Sequence, residues 1–208
     1  MRSRQNPILS RRAFATGLTG SLAALGVGGT APARSGSANL DNAILRDAAL
    51  RGLARAGDVG DPILAAKAHA VLVELENTAP EDAALVRIYR LYDVASAGYH
   101  HSGSYRNADE DEALASNLAA LHAAVHDRRA VSFHYIDLAG EMTVRSVLPL
   151  AIVHPPQGVK LLAWCGMRQD YRQFFIRKLS NLTLRGQGFA DRRLTLLQAF
   201  AENAATRT

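Results

Sequence analysis

Between residues 159 and 179 the chain reads VKLLAWCGMRQDYRQFFIRKL, setting Lys160, Arg168, Arg172, Arg177 and Lys178 against one acid, Asp170. A strand over Tyr171 to Leu179 would put Arg172, Phe174, Ile176 and Lys178 on one face, because side chains alternate. With Phe174 and Ile176 turned to a core, the two cations project the same way near its two ends. A cation shielded by aromatic neighbours is costly unless an anion or an acceptor meets it. The chemistry indicated is recognition of a negative ligand. The plainer reading of the same pattern is that both long stems carry their charges out to water.

Other reactive residue types give no catalytic pattern. His100-His101 and the pair His122/His126, at helical i, i+4 spacing, invite a metal. The segment between the latter is Ala-Ala-Val, with no Glu where a zinc protease holds its base. No metal is expected. Cys165 is the single cysteine, which excludes an intrachain disulfide and a cysteine-based zinc cage. It sits in an apolar run and reads as a small core residue. No Ser-His-Asp order, paired carboxylates or phosphate loop emerges, so neither an enzyme nor a cofactor is expected.

Charge is unevenly placed. The net +5 of the 208 residues includes Arg2, Arg4, Arg11 and Arg12 in a stretch without acids; outside residues 1–33 stand 20 bases and 19 acids. From Arg128 to Arg193 there are 11 bases and 4 acids, while residues 34–107 hold 8 and 9. The C-terminal part can therefore present a basic face to an anion.

The first 33 residues read as an address. A basic start is followed by a mildly apolar, Gly-rich stretch from Phe14 to Gly29, then Ala31-Pro32-Ala33, a small-x-small cleavage pattern. Ser10-Arg11-Arg12-Ala13-Phe14 resembles the twin-arginine export signal of bacteria, departing from it at Ala15 and in having no following Lys. The expectation is export by the twin-arginine translocase to the periplasm, with Arg11, Arg12 and Phe14 as the export signal and Ala31 and Ala33 as the cleavage-pattern residues. The five glycines from Gly17 to Gly29 speak against the alternative, a first helix of the fold. The mature form should hold no stable membrane span.

The elements that must position the cations follow from periodicity. After a linker at 34–39, helices are expected over 41–56, with Leu45, Ala49 and Leu53 inward; from Asp61-Pro62, with Leu64, Ala68, Val71, Leu72 and Leu75 inward; and from Pro80, with Leu85, Ile88, Tyr89 and Tyr92 inward. A fourth helix spans 108–127 on Leu114, Leu118, Leu121 and Val125. The period then drops to two. Strands are expected at 131–135, 143–148 (stopped by Pro149), 151–154, 159–165 and 171–179, and a closing helix at 191–205. The fold class is α+β: a helical segment, then a small barrel with flanking helices. The division is 1–33 signal, 34–107 helical annex and linker, 108–190 barrel with its leading helix, and 191–208 C-terminal helix.

RRAVSFHYIDLAGEMTVRSVLPLAIV and GVKLLAWCGMRQDYRQFFIRKLSNL together resemble the WYL domain, over roughly residues 108–190. Tyr135, Gly140, Arg145, Pro149 and Ala163-Trp164 fall at the family's positions, and Arg168, Asp170, Arg172 and Phe174 fit its Arg-x-Asp-x-Arg-x-Phe run. The Trp-Tyr-Leu triplet that names the family is Val159-Lys160-Leu161 here, and Phe175 replaces a basic residue of the last strand. The resemblance implies an Sm-like or SH3-like barrel and a non-enzymatic sensor of an anionic small molecule or single-stranded nucleic acid. It implies Arg145, Arg172 and Lys178 as anion contacts, with Tyr135 and Trp164 as stacking or wall residues. The segment 41–95 is similar to the part that precedes WYL domains in bacterial transcription regulators. An exported binding protein and a cytoplasmic accessory of a transcription regulator both remain open, as does a homo-oligomer associating through the helical annex.

Overall fold

The computed structural model describes residues 35–93, 108–137 and 139–206, within a compact unit spanning 34–208. The expected export residues Arg11, Arg12, Phe14, Ala31 and Ala33, and His100-His101, lie outside the described residues.

Helices come first: α1 (Ser35–Ala56), α2 (Pro62–Thr78), α3 (Pro80–Tyr92) and α4 (Ala108–His126). Helix α1 already begins inside the expected linker, and it buries Leu50 and Ala54 rather than the stripe read from the sequence, leaving Leu45 exposed. The amphipathic face turned to the fold also carries Arg51, whose ion pairs hold it there. Helix α2 starts as expected, with the Asp61 carboxylate accepting the N–H groups of Ile63 and Leu64 at 2.9 and 3.2 Å and proline at its first position.

Five antiparallel strands follow: β1 (Arg129–Ile136), β2 (Met142–Val153), β3 (Lys160–Cys165), β4 (Asp170–Phe175) and β5 (Leu179–Gly188), then α5 (Ala190–Ala205). A 3₁₀ turn, Ile176–Lys178, separates β4 from β5. Two expected boundaries are thereby corrected. The strand expected over 171–179 ends at Phe175, and the strands expected at 143–148 and 151–154 are one.

Pro149 does not stop β2 because the ladder slips there. Pro149 pairs with Ala163 but Ala151 pairs with Leu162, leaving a bulge at Leu150. The bulge changes the alternation: Val147 and Ile152, an odd five residues apart, point into the same core. Arg193 of α5, itself buried, donates to the carbonyls of Pro149 at 3.3 Å and Leu150 at 3.1 Å.

The sheet order is β4-β3-β2-β1-β5, so β4 and β5 are edges and do not pair with each other. The expected closed barrel is corrected to an open sheet. The chain passes from β4 to β5 through the 3₁₀ turn, and Ile176 of that turn is fully buried beneath α4 and the sheet. Helix α4 supplies Leu121 and Ala124 to this core, occupying the side on which a barrel would need a facing wall.

Two cores result, one on each face. The α4 side holds Val131, Phe133, Val147, Leu161, Cys165 and Phe174. The other face, with Leu148, Leu150, Leu162 and Val153, packs against α1, α3 and α5 through Leu50, Ile88, Tyr89, Leu197 and Phe200. The C-terminal helix thus stacks on the helical annex as well as on the sheet. No helix among the described residues is long and apolar enough to cross a membrane.

Candidate anion-binding site

Strand register decides which candidates share a face. Phe133 opposes Arg145 and Tyr135 opposes Thr143, so Tyr135, Phe133 and Arg145 project to the α4 side of the sheet. On the other half, Ala163 opposes Arg172 and Leu161 opposes Phe174, which puts Arg172 and Phe174 on that same face. Trp164 opposes Leu148 and Tyr171 and therefore faces the other way. It is half-buried edge-on to Tyr171 at 5.0 Å between centroids, in the aromatic row that continues to Phe200. The structure does not bring Trp164 together with Tyr135.

Arg145 is buried, with 8% of its surface exposed. Its Nε donates to Thr143 Oγ1 at 3.0 Å and an Nη to Met167 Sδ at 3.1 Å. No carboxylate lies within ion-pair distance of it among the described residues, so its charge is met by a hydroxyl and a thioether, both neutral. No side-chain nitrogen among the described residues is both buried and without a partner, so the guanidinium donors that Thr143 and Met167 do not take up reach solvent, where an anion can meet them.

Arg172 is exposed and lies 3.4 Å from Asp170, an open pair of small energetic weight. Lys178 sits in the 3₁₀ turn, not on the strand of Arg172, and donates to the carbonyl of Asp137 at 3.3 Å. The geometry read from a single strand, with both cations on one face, is thus replaced by two cations on different elements. Tyr135 is buried, edge-on to Phe174 at 5.0 Å. Arg177 and Lys160 flank the Phe175 ring, with Cζ and Nζ at 5.2 and 4.8 Å from its centroid.

The densest polar cluster was not visible in the sequence. It joins α1, α3 and β2. Arg51 pairs with Asp47 at 2.8 Å and with Asp93, donates to the Ile152 carbonyl at 2.5 Å, and stacks over Tyr89 at 4.0 Å. Asp93 also accepts the His154 backbone N–H at 2.7 Å, and Tyr89 donates its hydroxyl to Asp47. Burial, then the Asp47 carboxylate, raises the Tyr89 pKa and keeps that hydroxyl protonated. The one local signal was the i, i+4 spacing of Asp47 and Arg51. Its partners are too distant in sequence to be paired by pattern. Every acid in this cluster is tied to an arginine, a tyrosine or a backbone N–H, which marks it as the joint between annex and sheet. His122 faces the same joint, and among the described residues no group of three or more His, Cys, Asp and Glu is placed to hold a metal.

No curated protein matches the chain. Among solved structures, it is similar to the proteasome accessory factor B/C (PafBC) of Arthrobacter aurescens, at 23% identity and a TM-score of 0.39, over 72% of this chain and 21% of that one. The chain thus spans about a fifth of that protein's length. Residues 116–184, from the middle of α4 into β5 and including Tyr135, Arg145, Arg172 and Lys178, match the family model of the WYL domain.

Proposed function

We propose that the protein is a non-enzymatic sensor whose WYL-like region recognises an anionic ligand, a nucleotide or a single-stranded nucleic acid, outside the cytoplasm. The single observation that carries this reading is Arg145: a buried guanidinium on the inner sheet face, without a carboxylate among the described residues. An anion arriving there replaces a neutral oxygen and a sulfur with a charge-assisted partner. Arg172 and Lys178 add positive potential from β4 and the following turn, and Tyr135 forms an aromatic wall. The excess of 11 bases over 4 acids from Arg128 to Arg193 gives the approach its sign. The strand order, with a 3₁₀ turn before the last strand, supports an SH3-like parentage for the open, coiled sheet. Trp164 has no part in this site.

The ligand test is a titration of a labelled single-stranded oligonucleotide, and separately of a nucleoside monophosphate, into the protein and its Arg145→Met and Arg172→Ala forms. Binding that weakens with salt and falls at least about tenfold in Arg145→Met supports the site. Equal weak binding by all three forms rejects it in favour of diffuse surface charge. Export is tested by fractionating expressing cells with and without Arg11→Lys/Arg12→Lys. Equal cytosolic retention of both forms would leave the cytoplasmic accessory as the remaining reading.

A further inference from the structure

Helix α2 carries two faces, and its own fold uses only one. Ala68 is buried and Leu72 and Leu75 are half-buried on the side that packs against the annex core. The opposite side should be polar if it met only water. Instead, Ile63, Ala66, Ala70, Val73 and Asn77 recur there at steps of 3, 4, 3 and 4 residues, all exposed, with Ile63 at 69% and Val73 at 44%. Those steps are the seam of a coiled coil, and alanines at its middle let two backbones approach closely.

The flank of the seam selects the partner. Lys67 and Glu74 lie on one side of it, both exposed, and neither side chain has an ion-pair or hydrogen-bond partner among the described residues. When α2 is laid antiparallel on a copy of itself, about a two-fold axis near Val71 and Leu72, Ala70 meets Val73 and Ala66 meets Asn77. In the same register Lys67 of each copy faces Glu74 of the other. A parallel arrangement gives Lys67 no acid to meet. The other flank sets His69 near Glu76, which Arg87 of its own chain already engages, so it contributes little.

We infer that the α2 seam is a homodimer interface in which two copies pack α2 against α2 in antiparallel order, held in register by reciprocal Lys67–Glu74 pairs. The contact is short, so the dimer is a reversible one, with a dissociation constant on the order of micromolar. This inference is independent of the anion site.

The test is analytical ultracentrifugation of the full chain over a concentration series at physiological salt, with helical circular dichroism confirming that each variant is folded. All substituted positions are exposed and in a helix, so folding should survive. A monomer–dimer equilibrium is expected. Ala70→Glu should weaken it by roughly 100-fold or more, by placing two carboxylates at the seam centre. Lys67→Glu should weaken it about tenfold, by turning two attractive pairs into repulsive ones. The swap Lys67→Glu/Glu74→Lys should restore the wild-type constant. A chain that stays monomeric to several hundred micromolar, a dimer indifferent to Ala70→Glu, or a double swap that fails to restore association would each overturn the proposal.

Discussion

The Tyr135 ring meets that of Phe174 edge-on, 5.0 Å between centroids, although the two residues are far apart in the strand lattice. Following the register from β1 through β2 and β3 to β4, their rows lie about 26 Å apart along the strand direction. The sheet closes that distance by coiling, so it encloses the α4-side core without β4 pairing to β5. Phe174 also contacts Phe133 at 5.2 Å, making it the residue on which the coil closes. Phe174→Ala should therefore cost about 3–5 kcal/mol, the usual range for emptying such a site, read as a fall in the urea midpoint. A change under about 1 kcal/mol would mean the coil is held elsewhere.

Arg51 anchors the annex to the sheet. Its removal leaves Asp93, whose side chain is 2% exposed, as a buried carboxylate without its counter-charge. Arg51→Met should destabilise by roughly 3 kcal/mol in chemical denaturation. Arg51→Met/Asp93→Asn should recover part of that loss, since the stranded charge goes as well. A double variant no better than the single one would place the effect in lost packing on Tyr89.

Two histidines at the same joint, His122 half-buried and His154 with nearly half its side chain exposed, are expected to make stability pH-dependent. His154 Nδ1 lies 3.1 Å from an Arg51 nitrogen, and burial, then the Arg51 charge, lowers its pKa below 6.5. Burial likewise lowers that of His122, against an opposing pull from Asp47. The folded state favours the neutral ring, so each group's folded pKa lies below its unfolded one. Their stabilising contribution is complete above about pH 6.5 and is lost as the pH falls through the folded values. Urea midpoints measured from pH 8 to pH 5 should drop more steeply for the wild type than for His122→Gln/His154→Gln. Parallel curves would contradict this.

At Arg145, stability and binding should move in opposite directions. Methionine fills much the same space beside Met167 and carries no charge to strand. Arg145→Met is expected to leave the urea midpoint unchanged or raise it by up to about 1–2 kcal/mol equivalent, while oligonucleotide binding is lost. A variant that unfolds more readily and binds normally would show that the guanidinium serves packing alone.

The helices were legible where caps and stripes coincide. Asp61-Pro62 announces α2, whose expected stripe holds at Ala68, Leu72 and Leu75 but not at Leu64 and Val71, which are exposed, and Leu114, Leu118 and Leu121 turn into the sheet core from α4. Strand boundaries were harder. Pro149 reads as a stop because a bulge leaves no mark in the pattern, and the 3₁₀ turn over Ile176–Lys178 keeps the apolar alternation of a strand while ending one. Strand β5 was missed because its exposed edge, from Ser180 to Gly188, has hardly any apolar alternation to detect. The sidedness of Trp164 and Arg172 needed register, which depends on contacts between strands rather than on any single segment. Arg145 became a candidate by resemblance, whereas the lack of a carboxylate beside it among the described residues is a matter of three-dimensional neighbours.

The slip at Leu150 gives β2 a consequence beyond shape. The strand lends Val147 and Ile152 to one apolar layer and Leu148, Leu150 and Val153 to the other. Melting either layer frees the strand that the other is built on. Annex and sheet should therefore come apart in one cooperative transition, seen at a single temperature by tryptophan fluorescence and by far-ultraviolet circular dichroism alike.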